Sequence, residues 1–296
     1  MKIEEDVILI AGPTASGKTG LAIDLAKSHG AIILNTDSMQ VYSDLRILSA
    51  RPTDEEEKQA PHLLFGHVSG DQPYSVAHWK EDVASVLKQE ADRKRPLVFV
   101  GGTGLYFNAL LHGLSPIPDI KPEIREKWRA RSLNPGSGDE LFDRLLELDR
   151  SMADRLRPSD TQRIVRALEV IESTGVSLSV WQTQKGVPLF SANHKIKKLL
   201  LMPDRSVVHE RINHRFEQMV EQGGISEVKT LMEKGLNAEV PVMKAIGVPQ
   251  LISYLKAELS LEAAIEKSKA ATRQYAKRQS TWFRNSFGAD WEILNG

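Results

Sequence analysis

The sequence predicts an α/β fold in which helices cover a parallel sheet and an all-helical domain is inserted. In residues 1–111, short apolar runs alternate with segments of helical periodicity. In residues 123–173, the sequence is charged and has helical spacing without a strand signal. Alternating strands and helices favour a parallel sheet, because each crossover places a helix on a sheet face. We therefore expect one α/β core and one helical insertion.

Four apolar runs are predicted as strands of this sheet. They cover residues 7–11, 31–34, 97–100 and 198–202. Helices are expected at 20–27, at 105–111 and over most of 207–287, with breaks at Gly223, Gly224, Gly235, Pro241 and Gly247. A proline-rich stretch after Leu114 separates the two kinds of sequence. The predicted core is therefore 1–115 together with 191–296, and the predicted insertion is 116–190.

Composition limits the chemistry that the chain can perform. It has 296 residues and no cysteine, which excludes disulfides, thiolate nucleophiles and cysteine-based zinc sites. The acidic N-terminus does not resemble a secretory signal, and no apolar run approaches the roughly 20 residues of a membrane span. These features predict a cytoplasmic protein. The formal net charge is zero, so affinity for nucleic acid requires a local basic face.

One segment has the pattern of a phosphate-binding loop. It matches G-x-x-x-x-G-K-[ST] and consists of Gly12, Pro13, Thr14, Ala15, Ser16, Gly17, Lys18 and Thr19. A predicted strand precedes it and a predicted helix follows it, as the motif requires. Backbone N–H groups at a helix start bind anions, Lys18 adds positive charge, and the Thr19 hydroxyl suits magnesium. The core is therefore predicted to be a P-loop NTPase-like sheet flanked by helices.

The position of the acidic residue differs from that of a nucleotide hydrolase. Such enzymes commonly place an acid at the end of a second strand, where it helps to hold magnesium. Here the strand 97–100 runs into Gly-Gly-Thr-Gly, and the acid, Asp37, follows the preceding strand. Because parallel strands end at one crevice, Asp37 and Thr103 are expected to converge on the phosphate site. Asp37 is suited to accept a proton from a nucleophile, the alternative being an aspartate that caps a turn.

Six segments resemble one family of RNA-modifying enzymes. They are GPTASGKT (12–19), DSMQVY (37–42), GGTGLY (101–106), QRIVRALEV (162–170), KAIGVPQL (244–251) and TRQYAKRQSTWFR (272–284). In type and order they are similar to the tRNA dimethylallyltransferases, also called tRNA isopentenyltransferases, and they span almost the whole chain. The lack of cysteine and of a C-terminal zinc finger resembles the bacterial form. Val248 stands where the family commonly has an aromatic residue, which affects local packing and not the chemistry.

The resemblance implies transfer of the dimethylallyl group of dimethylallyl diphosphate to the exocyclic amine of a tRNA adenosine, with release of diphosphate. The adenosine would lie directly 3′ of the anticodon in tRNAs that read codons starting with U. By the same resemblance, residues 12–19 and Arg215 hold the diphosphate in place of ATP, with Mg²⁺ as cofactor at Thr19. Asp37 would be the general base, and Thr103 would position the base or the departing oxygen. A monomer is expected.

The resemblance also implies a set of tRNA contacts in both parts of the chain. They are Asp37, Ser38, Met39, Gln40, Thr103, Arg125, Gln162, Arg163, Ile164, Val165 and Arg166. Residues 38–40 would line the pocket of an adenine turned out of the anticodon loop, because a stacked base is not accessible to chemistry. The helical insertion is expected to act as a lid that excludes water from the allylic centre.

A basic stripe is expected on one face of a C-terminal helix. It consists of Lys269, Arg273, Lys277 and Arg284. The first three recur every four residues, which brings them to one helix face that we interpret as facing RNA. The alternative is an ordinary solvated face. Trp282 and Phe283 are predicted to be core residues.

Two other functions compete with this interpretation. The first is a small-molecule kinase that binds ATP at residues 12–19 and turns it over without RNA. The second is a non-catalytic RNA-binding module, which would leave the phosphate loop without a purpose. His62, His67 and His78 lack the spacing of a metal site and are predicted to be ordinary polar residues.

Overall fold

Six parallel strands form the sheet that organises the first part of the molecule. The structure is a computed structural model that describes residues 6–90, 95–134, 136–190 and 193–295. The strands are β1 (Val7–Ala11), β2 (Ile32–Asn35), β3 (His62–Leu63), β4 (Leu97–Gly101), β5 (Ile196–Leu201) and β6 (Glu292–Leu294). Their order across the sheet is β3-β2-β4-β1-β5-β6, and every neighbouring pair is parallel. The predicted α/β class with a parallel sheet is confirmed.

The described helices fall into two groups. In the α/β part they are α1 (Lys18–His29), α2 (Asp54–Glu57), α3 (Val76–Glu90), α4 (Gly104–His112), α10 (Arg205–Met219), α11 (Ile225–Glu233), α12 (Val248–Leu255) and α13 (Leu261–Ser286). Between α4 and β5 lie α5 (Pro122–Ser132), α6 (Ser137–Leu148), α7 (Arg150–Ala153), α8 (Thr161–Thr174) and α9 (Leu178–Trp181). None of these described helices has both the length and the apolar character needed to cross a membrane.

Alternate residues of the central strands pack into cores on opposite faces of the sheet. Leu9 and Phe99 belong to a cluster on one face, which helices from both ends of the chain cover. Ile10 and Val98 belong to the cluster on the other face, against α1. All five residues of β1 are buried, as expected for a strand flanked by neighbours and covered on both faces.

The edge strands β3 and β6 were not predicted. β3 has two residues and β6 has three, which is too short for a periodicity signal. Residues 220–224, where two glycines predicted a break, form a kink between α10 and α11, because Gly223 has a non-helical φ of 107°. The break between α12 and α13, at residues 256–260, was also not predicted.

The chain divides into two compact units. The first, the α/β unit, contains residues 1–111 and 189–296, and the second, the helical unit, contains residues 112–188. The predicted insertion was 116–190. The helical unit has its own core, which is built around Trp128, Leu145 and Leu168.

Candidate active site

Residues 12–19, here called the phosphate loop, connect the buried strand β1 to α1. The helix begins at Lys18, and Gly17 precedes it with a φ of 95°, a conformation that glycine adopts without strain. The Lys18 ammonium donates to the Pro13 carbonyl at 2.7 Å. Ala15, at the outer side of the loop, packs against an apolar cluster that includes Ile212 of α10 and Ala276 of α13. Two C-terminal helices therefore cover the loop.

Polar contacts from α10 and α13 meet at Thr14 of the phosphate loop. The Arg215 guanidinium donates to the Thr14 hydroxyl at 2.5 Å. The Thr14 backbone N–H donates to the side-chain oxygen of Gln279 at 2.9 Å, and the Gln279 amide donates to the Gly102 carbonyl at 2.9 Å. Arg215 therefore lies beside the phosphate loop, the place that the family resemblance implies for it. Gln279 was not predicted as a site residue, although it lies in the segment that resembles the family.

Asp37 lies in residues 35–40, here called the acceptor loop, at the carboxyl end of β2. Asn35 is fully buried, and its side chain fixes the loop by accepting from the Asp37 N–H at 2.8 Å and donating to the Asp37 carbonyl at 2.9 Å. The Asp37 Oδ1 accepts from the Met39 N–H at 2.9 Å. Its Oδ2 accepts no hydrogen bond from the described residues. One carboxylate oxygen is thus held by the loop, and the other is available to a ligand.

Thr103 belongs to residues 101–104, here called the glycine loop, after β4. Its hydroxyl accepts from the Ser38 N–H at 3.0 Å and donates to the Ser38 Oγ at 3.3 Å. Its own N–H donates to the Thr36 carbonyl at 3.2 Å. Thr103 therefore does converge on the acceptor loop, but it does not line the cavity described next. Its hydrogen bonds support the acceptor loop beside Asp37, where the resemblance expects it to position the base.

A cavity of about 820 Å³ opens between these loops and the C-terminal helices of the α/β unit. The predicted site residues that line it are Thr14, Ala15, Ser16, Gly17, Lys18, Thr19, Asp37, Ser38, Met39, Gln40 and Arg215. The residues that were not predicted are mostly apolar, but they include a group of cationic and polar side chains, namely Arg211, His214, Lys244, Thr272, Tyr275 and Arg278. Lys244, Thr272, Tyr275 and Arg278 lie in the family-like segments 244–251 and 272–284, whereas Arg211 and His214 lie outside them. Sequence alone does not tell which side of a helix faces a cavity.

Electrostatics in the cavity favour an anion between Lys18 and Arg215. Burial lowers the pKa of Lys18 from its usual value to about 8, although the Asp37 carboxylate opposes this change and Arg215 adds to it. Burial also lowers the pKa of Arg215, again against the effect of Asp37. The two desolvated cations, Lys18 and Arg215, therefore both interact electrostatically with the Asp37 carboxylate. A bound anion would relieve the repulsion between them.

The basic stripe on α13 differs from the prediction in its first two members. Lys269 is 7% exposed, and its ammonium pairs with Glu217 at 2.6 Å and with Glu266 at 2.8 Å. Arg273 donates to Asn213 of α10 at 2.5 Å. Both side chains hold α13 against α10, and the charge of Lys269 is paired inside the protein. Lys277 and Arg284 of the stripe are exposed.

The aromatic pair at the end of α13 was predicted correctly as core. Phe283 is 1% exposed and belongs to the main apolar cluster. Trp282 is partly buried and packs against the same cluster, and its ring lies against Gly104 of the glycine loop.

In the helical unit, the residues expected to contact tRNA lie on different sides of their helices. Arg125 of α5 and Gln162 and Arg163 of α8 are exposed. Ile164 and Val165 are 0% and 7% exposed and belong to the core of the unit. Their side chains are therefore not available to tRNA, which corrects the prediction. The prediction treated residues 162–166 as one continuous contact surface. Consecutive residues of a helix point in directions about 100° apart, so some of them face the core of the unit.

Arg166 is the remaining member of the predicted tRNA-contacting segment of α8. Its guanidinium pairs with the buried Glu169 at 3.2 Å, and Arg129 pairs with the other oxygen of the same carboxylate, also at 3.2 Å. Because Glu169 is 2% exposed, its charge has to be compensated inside the unit. Arg166 is still partly exposed, so part of its guanidinium faces solvent.

The parallel sheet, the phosphate loop at its carboxyl end and the carboxylate that faces the same cavity are the arrangement of an enzyme of the P-loop class. Comparisons with known proteins agree. The profile of the family described as IPP transferase matches residues 40–286, and that described as isopentenyl transferase matches residues 5–71. The chain belongs to this family.

Individual relatives extend over nearly the whole chain. A tRNA dimethylallyltransferase of Chelativorans sp. (strain BNC1) is 50% identical over 97% of this chain and 97% of its own length. The full-length tRNA isopentenylpyrophosphate transferase of Bacillus halodurans is 34% identical, with a TM-score of 0.69 over 99% of this chain and 90% of that one. A eukaryotic dimethylallyltransferase acting on tRNA is 27% identical, with a TM-score of 0.82 over 99% of this chain and 74% of that one.

Proposed function

We propose that this chain transfers the dimethylallyl group of dimethylallyl diphosphate to the exocyclic amine of the adenosine directly 3′ of the anticodon, in tRNAs that read codons starting with U. The observation that carries the proposal is that the phosphate loop and Asp37 line one cavity, while β4 ends in Gly-Gly-Thr-Gly without a carboxylate. This arrangement suits departure of a diphosphate and acceptance of a proton. The family membership and the tRNA named for the relatives support tRNA as the acceptor, and the family resemblance supports dimethylallyl diphosphate as the donor.

The phosphate loop and its cations are suited to the donor. In the reaction, negative charge develops on the diphosphate as its bond to the allylic carbon breaks. Backbone N–H groups of the loop, Lys18 and Arg215 lie where that charge would be, in a site that is already desolvated. Fixed positive groups in a site of low dielectric stabilise such developing charge more strongly than water does.

The acceptor loop is suited to the adenine. Ser38, Met39 and Gln40 line the cavity beside Asp37. The Gln40 amide donates to the carbonyls of Ser49 and Ala50 at 3.0 and 2.8 Å, which fixes its side chain and leaves its own oxygen as an acceptor. The adenine has to leave the stack of the anticodon loop to reach this position, at a cost of a few kcal/mol.

The chemical step then needs one base and one leaving group. The exocyclic nitrogen forms a bond to the terminal allylic carbon, and the bond from that carbon to the diphosphate oxygen breaks, with its electron pair going to diphosphate. The proton of the amine passes to the Oδ2 of Asp37, the oxygen that no described residue engages. Thr103 positions the base, because its hydroxyl holds the acceptor loop through the Ser38 N–H.

The oxygen donors at this site fit Mg²⁺, which prefers hydroxyl, carboxylate and phosphate oxygens. The Thr19 hydroxyl lies at the start of α1, and both Thr19 and Asp37 line the cavity. Thr19 would therefore hold the ion together with oxygens of the diphosphate. When bound, the ion supplies additional positive charge for the leaving group.

The helical unit offers the second part of the tRNA surface through Arg125, Gln162 and Arg163, which are exposed.

An enzyme that acts on tRNA, and whose chain has no cysteine, is expected in the cytoplasm. We expect it to act as a monomer. The kinase alternative would commonly place a protein carboxylate for its magnesium ion at the end of β4, where this chain has Gly-Gly-Thr-Gly.

Incubation of the protein with an anticodon stem-loop, dimethylallyl diphosphate and Mg²⁺, followed by mass analysis of the nucleosides, tests the proposal. We expect one modified adenosine per stem-loop, with a mass increase equal to one dimethylallyl group in place of hydrogen. A matched stem-loop with guanosine at that position should remain unmodified. Turnover of ATP without RNA, and no modified adenosine, would favour the kinase alternative.

A further inference from the structure

Gln279 is a buried amide of α13 that bonds to two loops of the site at once. Its oxygen accepts from Thr14 of the phosphate loop and its nitrogen donates to Gly102 of the glycine loop, both at 2.9 Å. The residue is 6% exposed. Both partners are backbone groups, and leaving either without a partner in a buried place is unfavourable. A glutamine side chain has an acceptor and a donor at one end, and that is what the two loops require.

The glycine loop is shaped to receive α13. A Cβ atom on Gly102 would overlap the Gln279 amide, and a Cβ atom on Gly104 would overlap the Trp282 ring. Residues 279 and 282 are three apart on a helix, so they lie on one face. Two glycines of the loop therefore allow two side chains of α13 to approach the backbone directly. This packing fixes the position of the loop against the helix.

The same loop continues to the acceptor side of the cavity. Thr103 lies between the two glycines. Its hydroxyl accepts at 3.0 Å from the N–H of Ser38, the residue that follows Asp37. On the donor side, Thr14 receives the Arg215 guanidinium. A chain of hydrogen bonds therefore runs from the phosphate loop through Gln279 and the glycine loop to the acceptor loop. Gln279 is the member of that chain that bridges the two sides.

We propose that Gln279 is a positioning residue that sets the spacing between the phosphate loop and the acceptor loop for the transfer reaction. The proposal rests on the proposed function, because the spacing matters only if one loop holds the donor and the other the acceptor. Gln279 acts through Thr14 and Gly102 and not on a substrate. A misplacement of reacting groups by about 1 Å can lower a rate on the order of 10²-fold, so a residue of this kind affects the rate more than substrate affinity.

Three variants separate positioning from a merely structural role. Gln279→Met keeps a side chain of similar length and removes both hydrogen bonds. Gln279→Glu keeps the acceptor for Thr14 and loses the donor for Gly102. Gln274→Met is the matched control, because Gln274 is exposed on the same helix.

The measurement is the single-turnover rate per folded molecule at saturating dimethylallyl diphosphate and stem-loop, together with the Kd of inorganic pyrophosphate. We expect Gln279→Met to lose about 10- to 100-fold in rate while the Kd of pyrophosphate changes by less than about threefold. Gln279→Glu should also lose rate, and the control should match the wild type. A normal rate per folded molecule in Gln279→Met, with or without a loss of folded protein, would overturn the proposal.

Amide hydrogen exchange gives a second readout that does not depend on the reaction. Without Gln279 the two loops lose their common anchor, so peptides that contain Thr14 and Gly102 should exchange faster in Gln279→Met than in the control. Unchanged exchange in both loops would also overturn the proposal. A wild-type protein that transfers no dimethylallyl group would instead contradict the proposed function, and the exchange result would still decide whether Gln279 holds the loops together.

Discussion

The Arg215 guanidinium donates to the Thr14 hydroxyl, which places a cation of α10 directly on the phosphate loop. The side chain is partly buried and lines the cavity. Its charge is compensated only in part, by the more distant Asp37. Arg215 therefore adds a second positive group beside Lys18 at the phosphate loop.

Arg215→Gln is expected to lower kcat/KM for dimethylallyl diphosphate on the order of 10²-fold, because removal of one preformed donor to a developing anion has an effect of this size. Steady-state kinetics at varied donor concentration measures it. Arg205→Gln is the matched control, since Arg205 is exposed at the start of the same helix. If both variants lose activity equally, Arg215 has no special role at the diphosphate.

Lys18 is expected to make pyrophosphate binding dependent on pH. Burial lowers its pKa to about 8, so the ammonium is charged at pH 7 and mostly neutral at pH 9. The affinity of the wild type for pyrophosphate should therefore fall as the pH rises through 8, beyond any change due to pyrophosphate itself. Lys18→Ala should bind more weakly at pH 7, lack this extra dependence and be inactive in transfer. Calorimetric titrations of both proteins at pH 7 and 9 decide the matter, and parallel pH profiles would contradict the assignment.

Asp37→Asn separates the transferase from the kinase. As a general base, Asp37 should be worth about 10²- to 10⁴-fold in the single-turnover rate, with the Kd values of stem-loop and pyrophosphate preserved. Asparagine keeps the acceptor for the Met39 N–H, so the loop should keep its shape. A loss of nucleotide or pyrophosphate affinity instead would favour a magnesium-holding role, and a near-normal rate would rule out Asp37 as the base.

Salt dependence should distinguish the exposed cations of α13 from the paired ones. The affinity for tRNA is expected to weaken steeply with salt. Lys277→Ala should reduce the slope of log K against log salt by about 0.7 to 0.9, because one phosphate of the RNA is no longer neutralised by the protein. Lys269→Ala should leave the slope unchanged and lower Tm, because Glu217 and Glu266 lose their partner. The opposite pattern would mean that RNA meets the other side of the helix.

Neighbouring residues of α8 should respond differently to substitution by alanine. Ile164→Ala should lower the free energy of unfolding by about 2 to 5 kcal/mol, since the side chain is fully buried in the helical unit. Arg163→Ala should leave Tm nearly unchanged and weaken stem-loop binding, because Arg163 is exposed. Thermal unfolding and fluorescence titration on both variants check this. A stable Ile164→Ala protein with weak tRNA binding would instead support a direct role of Ile164 in tRNA binding.

Much of the fold could be predicted because its strong signals are local. The strand at 7–11 has the predicted limits, since a buried strand of a parallel sheet is a continuous apolar run. β3 and β6 could not be predicted, because strands of two and three residues take their structure from the neighbouring strand. The phosphate loop was likewise found from a contiguous motif.

Other parts of the site depend on long-range contacts. Gln279 is 265 residues from Thr14, and no local pattern indicates that an amide in a late helix bonds to a loop at the start of the chain. Lys269 has the spacing of a surface stripe, but the position of α10 decides that its charge is paired with Glu217. Sequence periodicity tells which residues share one face of a helix. It does not tell which other element packs against that face.

The neighbours of β1 in the sheet have a consequence for synthesis on the ribosome. β1 pairs on one side with β4 and on the other with β5, which begins only at Ile196, after the helical unit. At about 5 to 20 residues per second, the nascent chain extends for roughly 10 to 40 s between β1 and β5. The helical unit, whose core is local in sequence, can form during that interval, whereas β1 keeps one open edge. We therefore expect the nascent α/β unit to need protection from aggregation until its last third has emerged.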